Sequence, residues 1–510
     1  MKNTPKSKIL LLDDLINKVK SLKASGKVVV QSHGIFDLIH PGVIEHLKSA
    51  KERGDVLIAT VITDKDVRKG PGRPIFSGNL RAENVASLSM VDYVCVVGDE
   101  TPFECVKRIK PNIFAKGKSI KDLDNEINNK IFEEVKELYF GKVRIHETGG
   151  FSLSSSEIIN NFIDIYPEEV KSFLKDFSRK YSFKEISRKI NSLNKLKILL
   201  VGDGIIDEYH YCEAMGRSAK APLVVNKYIT HEIFAGGAFA IANHLAGLSG
   251  NIHLVSLLGN EPAREDFIRS NLKPNVTTKF FYRKDGSTIV KKRYINQYQN
   301  QKLFEVNYLS DSYINGGLES GIIKYLNSVA ASYDLILISD FGHGFITNRI
   351  IEAIQDSKVK FAVNTQTNAA NAGFNMITKY RKPFYVCLDE PELRWAAQER
   401  FADIESVAKK ILETVHASNL VVTLGKRGSF GINNRGQINY TPIFSSKVID
   451  TVGAGDAFFA FTAPCVAQKM PLDLVSFIGN AVGALAVQIV CNKRPIEKYE
   501  LLEFIHALMK

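Results

Sequence analysis

Two stretches of this chain alternate short apolar runs with amphipathic segments, and that alternation restricts the fold more than any other feature. In the first stretch the runs are Val28–Val30, Val56–Ile62, Tyr93–Val97, Ile113–Ala115 and Lys142–His146. Helical periodicity lies between and before them. Leu12, Ile16, Val19 and Leu22 share one face of a helix over 11–24. Pro41 opens a second that runs to about Arg53, at a position where its missing N–H has no intrahelical partner. The second stretch has runs at Lys197–Val201, Ile252–Leu258, Leu335–Ile338, Lys360–Val363, Phe384–Leu388 and Leu420–Leu424. Strands separated by helices build a mainly parallel sheet covered on both faces, so the fold class is α/β. Between Ser154 and Leu193 the pattern is helical, rich in Lys, Glu, Phe and Ile, with no strand candidate. At 510 residues the chain exceeds what one core supports. The expectation is a Rossmann-like first domain over 1–165, a helical linker over 166–182 and a second α/β domain over 183–510.

Composition removes several classes of function. With 45% hydrophobic and 24% charged residues the chain is globular rather than disordered. No apolar run approaches the ~18 residues that span a bilayer, so no membrane partner is expected. The basic, briefly apolar start meets Asp13 and Asp14 too early for a secretory signal. Six cysteines are scattered without paired spacing, which fits a reducing, cytoplasmic setting and neither a disulfide framework nor a zinc site. The net charge of +12 is spread along the chain, without a basic stripe interleaved with aromatics. Nucleic acid is therefore not an expected partner. A positive field also draws in anionic substrates such as nucleotides and sugar phosphates.

The most informative string is Asp450-Thr-Val-Gly453-Ala454-Gly455-Asp456. Two glycines around a small residue, opening a helix, let backbone N–H groups converge on an anion. Asp456 follows Gly453 by three residues and stands at that anion site, where a carboxylate can take a proton from an attacking hydroxyl. Phosphoryl transfer needs both parts. A bare GxGD would read as a glycine turn capped by an aspartate. The full string resembles the catalytic motif of the ribokinase, or pfkB-type, carbohydrate kinases.

That resemblance implies ATP as donor, Mg²⁺ as cofactor and a sugar or sugar phosphate as acceptor. It makes Gly236 and Gly237, ahead of the helix with Asn243, the substrate-side glycine pair, and Asp207 the binder of sugar hydroxyls. Thr423, Gly425 and Gly428 match the nucleotide-binding segment. Asp389 and Glu392 stand where the family carries its Mg²⁺-associated Asn-x-x-Glu, acting through water. Within the family, Val201–Tyr209, Ala219–Pro222, Lys291–Arg293 and Ser339–Gly344 resemble the kinase half of bifunctional ADP-heptose synthases. Asp340 would then lie near substrate phosphates, and Lys291 or Arg293 would bind a sugar phosphate. One departure stands out: Asn364-Thr365-Gln366-Thr-Asn368 replaces the Asp-Pro-Lys of those enzymes. Such kinases often dimerise through a small β lid, which residues 221–234 and 277–306 would form here.

The first domain resembles the cytidylyltransferase-like nucleotidyltransferases, so that the domain order is the reverse of the ADP-heptose synthases. Gly34, Phe36, Asp37, His40 and Gly42 match the nucleotide loop and its HxGH motif, but Val43 replaces the second histidine and offers no donor. Asp64, Lys69 and Arg73 match the segment that meets a triphosphate, with Arg81 at the start of the next helix. Lys116 matches a substrate-contacting lysine. Ser154, Ser155 and Ser156 match a phosphate-holding helix start, where serines also serve as plain N-caps. The implied nucleotide is ATP or CTP. Two readings stay open: a bifunctional enzyme that activates a sugar for surface glycan synthesis, and a sugar kinase whose first domain only binds or regulates. A non-catalytic scaffold conflicts with the complete kinase motif.

Overall fold

In a computed structural model the chain packs as two compact units, Met1–Arg188 with Leu502–Lys510, and Lys189–Leu501. The structure describes residues 4–67, 72–98, 102–117, 143–148, 166–260, 263–298, 301–310, 312–369, 371–445 and 447–510. Leu502–Lys510, expected with the second domain, groups with the first unit. The expected linker holds helix α5 (Glu168–Lys180), and α6 (Phe183–Ser192) follows.

The first unit carries five parallel strands: β1 (Val29–Gly34), β2 (Val56–Ile62), β3 (Tyr93–Val97), β4 (Ile113–Gly117) and β5 (Arg144–Thr148), in the order β3-β2-β1-β4-β5. Its early helices are α1 (Leu12–Ala24), α2 (Pro41–Lys51), α3 (Gly78–Ala86) and α4 (Pro102–Ile109). The two-residue period of a strand sorts their packing. Val29, Ile58, Cys95 and Val97 cluster with Leu15 and Val19 of α1 and Ile109 of α4. Their neighbours Val30, Leu57, Ala59 and Val94 cluster with Leu47 of α2 and Val85 of α3. The strand order reverses at β1, and ligands of such sheets bind outside the strand ends at that point. The loop from Gly34 leaves there, and β4 ends beside it at Gly117.

The second unit has a nine-stranded sheet, β10-β9-β6-β13-β14-β15-β16-β17-β18. It comprises β6 (Lys197–Gly202), β9 (Asn251–Gly259), β10 (Val276–Arg283), β13 (Leu335–Asp340), β14 (Phe361–Thr365), β15 (Tyr385–Asp389), β16 (Asn419–Thr423), β17 (Ser429–Asn433) and β18 (Ile438–Thr441). Only the last two pairings are antiparallel, so β17 alone runs against the rest. Leu199, Val201, Ile336, Ile338 and Val363 face α9 (Gly316–Val329), α10 (Asn348–Asp356) and α12 (Ile404–Thr414) in one core. Helices α7 (Ala238–Ala246), α13 (Ala454–Ala467) and α14 (Leu472–Ala486) are almost wholly buried. Two short helices, α8 (Glu265–Ser270) and α11 (Glu390–Ala397), complete this unit, and α15 (Lys498–Leu508) ends the chain.

A separate four-stranded sheet, β12-β11-β7-β8, forms the lid from β7 (Gly204–Arg217), β8 (Val224–Gly237), β11 (Ile289–Asn296) and β12 (Gln301–Tyr308). The lid differs from expectation in two ways. β7, which carries Asp207, belongs to it beside the expected 221–234 stretch, because Gly204 pairs with Gly237 and the ladder then runs on to Arg217 and Val224. Of the stretch 277–306, β10 instead forms the edge of the main sheet through its parallel pairing with β9.

Candidate functional site

The loop before α13 brings the kinase residues together. Gly453 is the N-cap of α13 with φ 85, a left-handed conformation, and a Cβ there would collide with the Asn492 side chain. At Gly455 nothing lies within 4 Å of where a Cβ would stand, so the first turn of α13 is open to an anion there, while the Ala454 N–H donates to Thr451 O at 3.3 Å. Asp456, in the first turn, is buried, and burial raises its pKa to about 7. The side-chain amide of Gln366 donates to its Oδ1 at 2.6 Å and favours the ionised form. The nearby Asp207 opposes ionisation and Lys291 favours it.

Asp207 and Lys291 face each other across the β7–β11 ladder. Gly236 is glycine because a Cβ would strike the Asp207 carboxylate, and Gly237 turns into α7 with φ 55. Arg293 ion-pairs with Asp207 and, at 2.7 Å, with Glu305. Lys291 is buried, which lowers its pKa against the pull of Asp207 and Glu305, and its Nζ lies 5.6 Å over the Phe341 ring. His343, not singled out in the sequence, adjoins them: it is buried, its pKa falls to about 4 through burial and then the Lys291 charge, and its Nδ1 finds no hydrogen-bond partner among the described residues.

Three expected contacts are placed elsewhere. Asp340 is buried with its carboxylate held by the Tyr380 hydroxyl and Lys379 at 2.6 Å each and by the Gly342 N–H, so it anchors the β13 loop rather than facing a phosphate. Asn243 donates to Asn271 O and accepts from Lys273 N–H, so it braces the 271–273 turn rather than a sugar. Gly428 has φ 87, and the space a side chain would need is filled by the Thr441 carbonyl, which makes it a hairpin requirement. Gly425, by contrast, has open space around its Cβ position, just beyond Thr423 at the end of β16.

Asp389 and Glu392 form a reciprocal capping box on α11: Asp389 Oδ1 accepts Glu392 N–H at 2.8 Å and Glu392 Oε2 accepts Asp389 N–H at 2.9 Å. Glu392 Oε1 accepts Thr367 N–H at 3.0 Å. Burial and the adjacent Asp389 raise the Glu392 pKa. Each oxygen keeps a lone pair, and Asp389 is exposed, so the pair suits the outer sphere of a hydrated Mg²⁺ rather than direct ligation.

In the first unit an open pocket of about 470 Å³ is lined by Asp37, Leu38, Ile39, His40, Phe76, Asn84 and Ser87. His40 is the N-cap of α2, and its Nδ1 accepts Gly42 N–H at 3.2 Å. A neutral imidazole that accepts at Nδ1 carries its proton on Nε2, so the other nitrogen is a donor. Gly34 accommodates the ring of Phe36, which takes φ 52. Asp37 departs from its expected nucleotide role: both its oxygens accept Ile75 N–H at 2.9 Å and Oδ1 also takes Phe76 N–H, so it clamps the loop after Arg73. α3 starts at Gly78, so Arg81 lies a turn inside it, fully buried and bound to Phe76 O, Ile62 O and Asp64. Arg73 lies beside Asp37 and Tyr166. Lys69 and Ser154, Ser155 and Ser156 lie outside the described residues, as does the side chain of Lys116. Asn84 and Ser87 escaped the sequence reading because nothing but packing of α3 carries them to the pocket.

The profile of the pfkB family of carbohydrate kinases matches residues 195–492. The chain belongs to that family. A cytidylyltransferase-like profile matches residues 32–161, so the nucleotidyltransferase-type fold comes first and the kinase second. Among curated relatives, bifunctional protein HldE of Trichlorobacter lovleyi is 24% identical over 57% of this chain and 59% of its own. The HldE of Syntrophotalea carbinolica is 33% identical over 32% of each. The chain thus spans less than two thirds of the length of these relatives. Escherichia coli phosphofructokinase-2, solved with substrates and products, superposes with a TM-score of 0.50 at 16% identity, covering 62% of this chain and all of that one. It supports the ribokinase-like fold of the second unit.

Proposed function

We propose that this pfkB-family chain phosphorylates a sugar or sugar phosphate with ATP and then couples a sugar 1-phosphate to a nucleotide, with a heptose-type sugar as the candidate that the resemblance to ADP-heptose synthases favours. The observation that carries the reading is Asp456, buried at an anion-accepting helix start between Asp207 and Lys291. Asp207 would hold the acceptor hydroxyl, Asp456 would take its proton, and the N–H groups around Ala454 would receive charge on the transferred phosphoryl group. Lys291 and His343 supply a cation and a buried ring nitrogen for an anionic acceptor. Mg²⁺, held through water by Asp389 and Glu392, would neutralise the triphosphate. A screen of ATP consumption over sugars and sugar phosphates, with product NMR, tests this; no turnover with any of them overturns it.

In the first unit, His40, which lines the pocket, would donate to the leaving pyrophosphate through its Nε2–H. Val43 favours a second reading, in which this unit binds nucleotide without turnover. Pyrophosphate release with each of the four NTPs separates the two. The exposed Val224, Tyr228, Phe304 and Tyr308 of the lid suit pairing with a second copy, which light scattering would detect as a homodimer.

A further inference from the structure

Gln366 sits directly beyond the C-terminal end of β14 and is fixed on both sides of its peptide. Its N–H donates to Asp340 O at 2.8 Å, and its carbonyl accepts Asn375 Nδ2 at 3.0 Å. The next residue, Thr367, is tied through its N–H to Glu392. From this braced backbone the side-chain amide reaches Asp456 Oδ1 at 2.6 Å, and among the described residues no other side chain donates to that carboxylate. We propose that Gln366 is a positioning residue for phosphoryl transfer: its amide holds Oδ1 of Asp456 and leaves Oδ2 as the oxygen that receives the acceptor's proton. The inference rests on the kinase reading of this site.

The step balances as follows. The acceptor O–H bond breaks and its proton passes to Asp456 Oδ2. The freed electron pair forms a bond to the γ-phosphorus of ATP, and the bond from that phosphorus to the β–γ bridging oxygen breaks as ADP leaves. Throughout, Gln366 donates one N–H and gives up no proton. A carboxylate left free to rotate would present either oxygen, and a misplacement of about 1 Å costs about 10²-fold in rate. The groups facing Asp456 are Asp207 from β7, Lys291 from β11 and Cys387 from β15. Asp207 opposes its ionisation and Lys291 favours it, so a neutral amide orients the base without adding charge to either side. This is where the chain departs from Asp-Pro-Lys, and an ammonium at position 366 would instead hold Asp456 ionised to lower pH.

The test uses the full chain. In Gln366→Leu, kcat for the best acceptor of the sugar and sugar phosphate panel should fall about 10²-fold with its KM within about threefold. The acidic limb of its pH–rate profile should move up by about one unit, because a donor to the ionised form is gone. Gln366→Lys should keep kcat within about tenfold and move that limb down by about one unit. It also serves if the leucine variant fails to fold. Without any substrate, the infrared carbonyl band that disappears in Asp456→Asn should titrate with its midpoint displaced in the same two directions. Wild-type kcat and an unmoved infrared midpoint in Gln366→Leu overturn the role of Gln366. A midpoint that moves while the wild type phosphorylates nothing overturns the kinase reading instead.

Discussion

Burial raises Asp456 and Asp203 to about 7 and moves Glu392 upward as well, whereas an unfolded carboxyl titrates near 4. Their contribution to stability is therefore complete below about pH 4 and is lost as pH rises through about 7. Relieving one of these acids should stabilise the fold where it would otherwise be ionised. Asp456→Asn is expected to raise Tm at pH 8 more than at pH 5, while kcat falls by about 10³-fold and the ATP Kd stays within about twofold. In the wild type, kcat should climb with pH through about 7, as the base ionises. A variant within tenfold of wild-type kcat would show that Asp456 is not the base. In the first unit, His40 both caps α2 and offers Nε2–H, and the two roles can be separated. His40→Asn keeps a capping side chain and should hold Tm near wild type, yet lower pyrophosphate release about 10²–10³-fold. Release unchanged by that substitution would remove His40 from the chemistry.

At the scale of elements, Asp450 ties the lid to the anion-accepting loop. Its carboxylate accepts the Tyr209 hydroxyl of β7 and Lys302 Nζ of β12, both at 2.7 Å, and the N–H groups of Val452 and Cys491. β12 is exposed along its length and held in the lid by its ladder to β11, and Lys302 ties this edge strand to the loop. Lys302→Met removes the ion pair and keeps the stem. It should lower kcat/KM for the acceptor about tenfold, with both constants changing, as expected when a covering element loses its seat. An effect on ATP KM alone would place the latch on the wrong substrate.

The molecule as a whole divides after Arg188, with Leu502–Lys510 returning to the first unit. The Phe183 ring of α6 lies 4.7 Å from His506 of α15, and Phe504 and Ile505 are fully buried. A fragment of residues 166–510 keeps α5, α6 and α15 together. It is expected to fold and to retain the kinase turnover of the full chain. Ending the same fragment at Leu501 should lower its unfolding free energy by about 3 kcal/mol or more, since two large apolar side chains lose their burial. Equal denaturation midpoints for the two fragments would count against that prediction.

Local pattern was enough to place β2, β3 and most other parallel strands, because a strand buried on both faces is a continuous apolar run whatever surrounds it. It was enough, too, for the Gly453–Asp456 turn, since a left-handed glycine, a helix start and its carboxylate are all neighbours in the chain. The lid was harder to read: β12 is exposed along its whole length, and only ladders such as Asp207–Lys291, Asp207–Phe234 and Arg293–Glu305 show which strands adjoin. Residue type likewise left open whether a polar side chain faces a ligand or its own fold. Asp37, Asp340 and Asn243 match binding positions in sequence, yet backbone N–H groups and neighbouring side chains claim them in space. Gln366 is the converse, a plain amide in a divergent loop that becomes part of the site because the residue after β14 reaches the first turn of α13. The sequence by itself determined the strand–helix order, the kinase turn and the residue types available for chemistry. Tertiary structure alone decided their partners, because hydrogen bonds and burial join residues as distant as 366 and 456, and no local pattern records that distance.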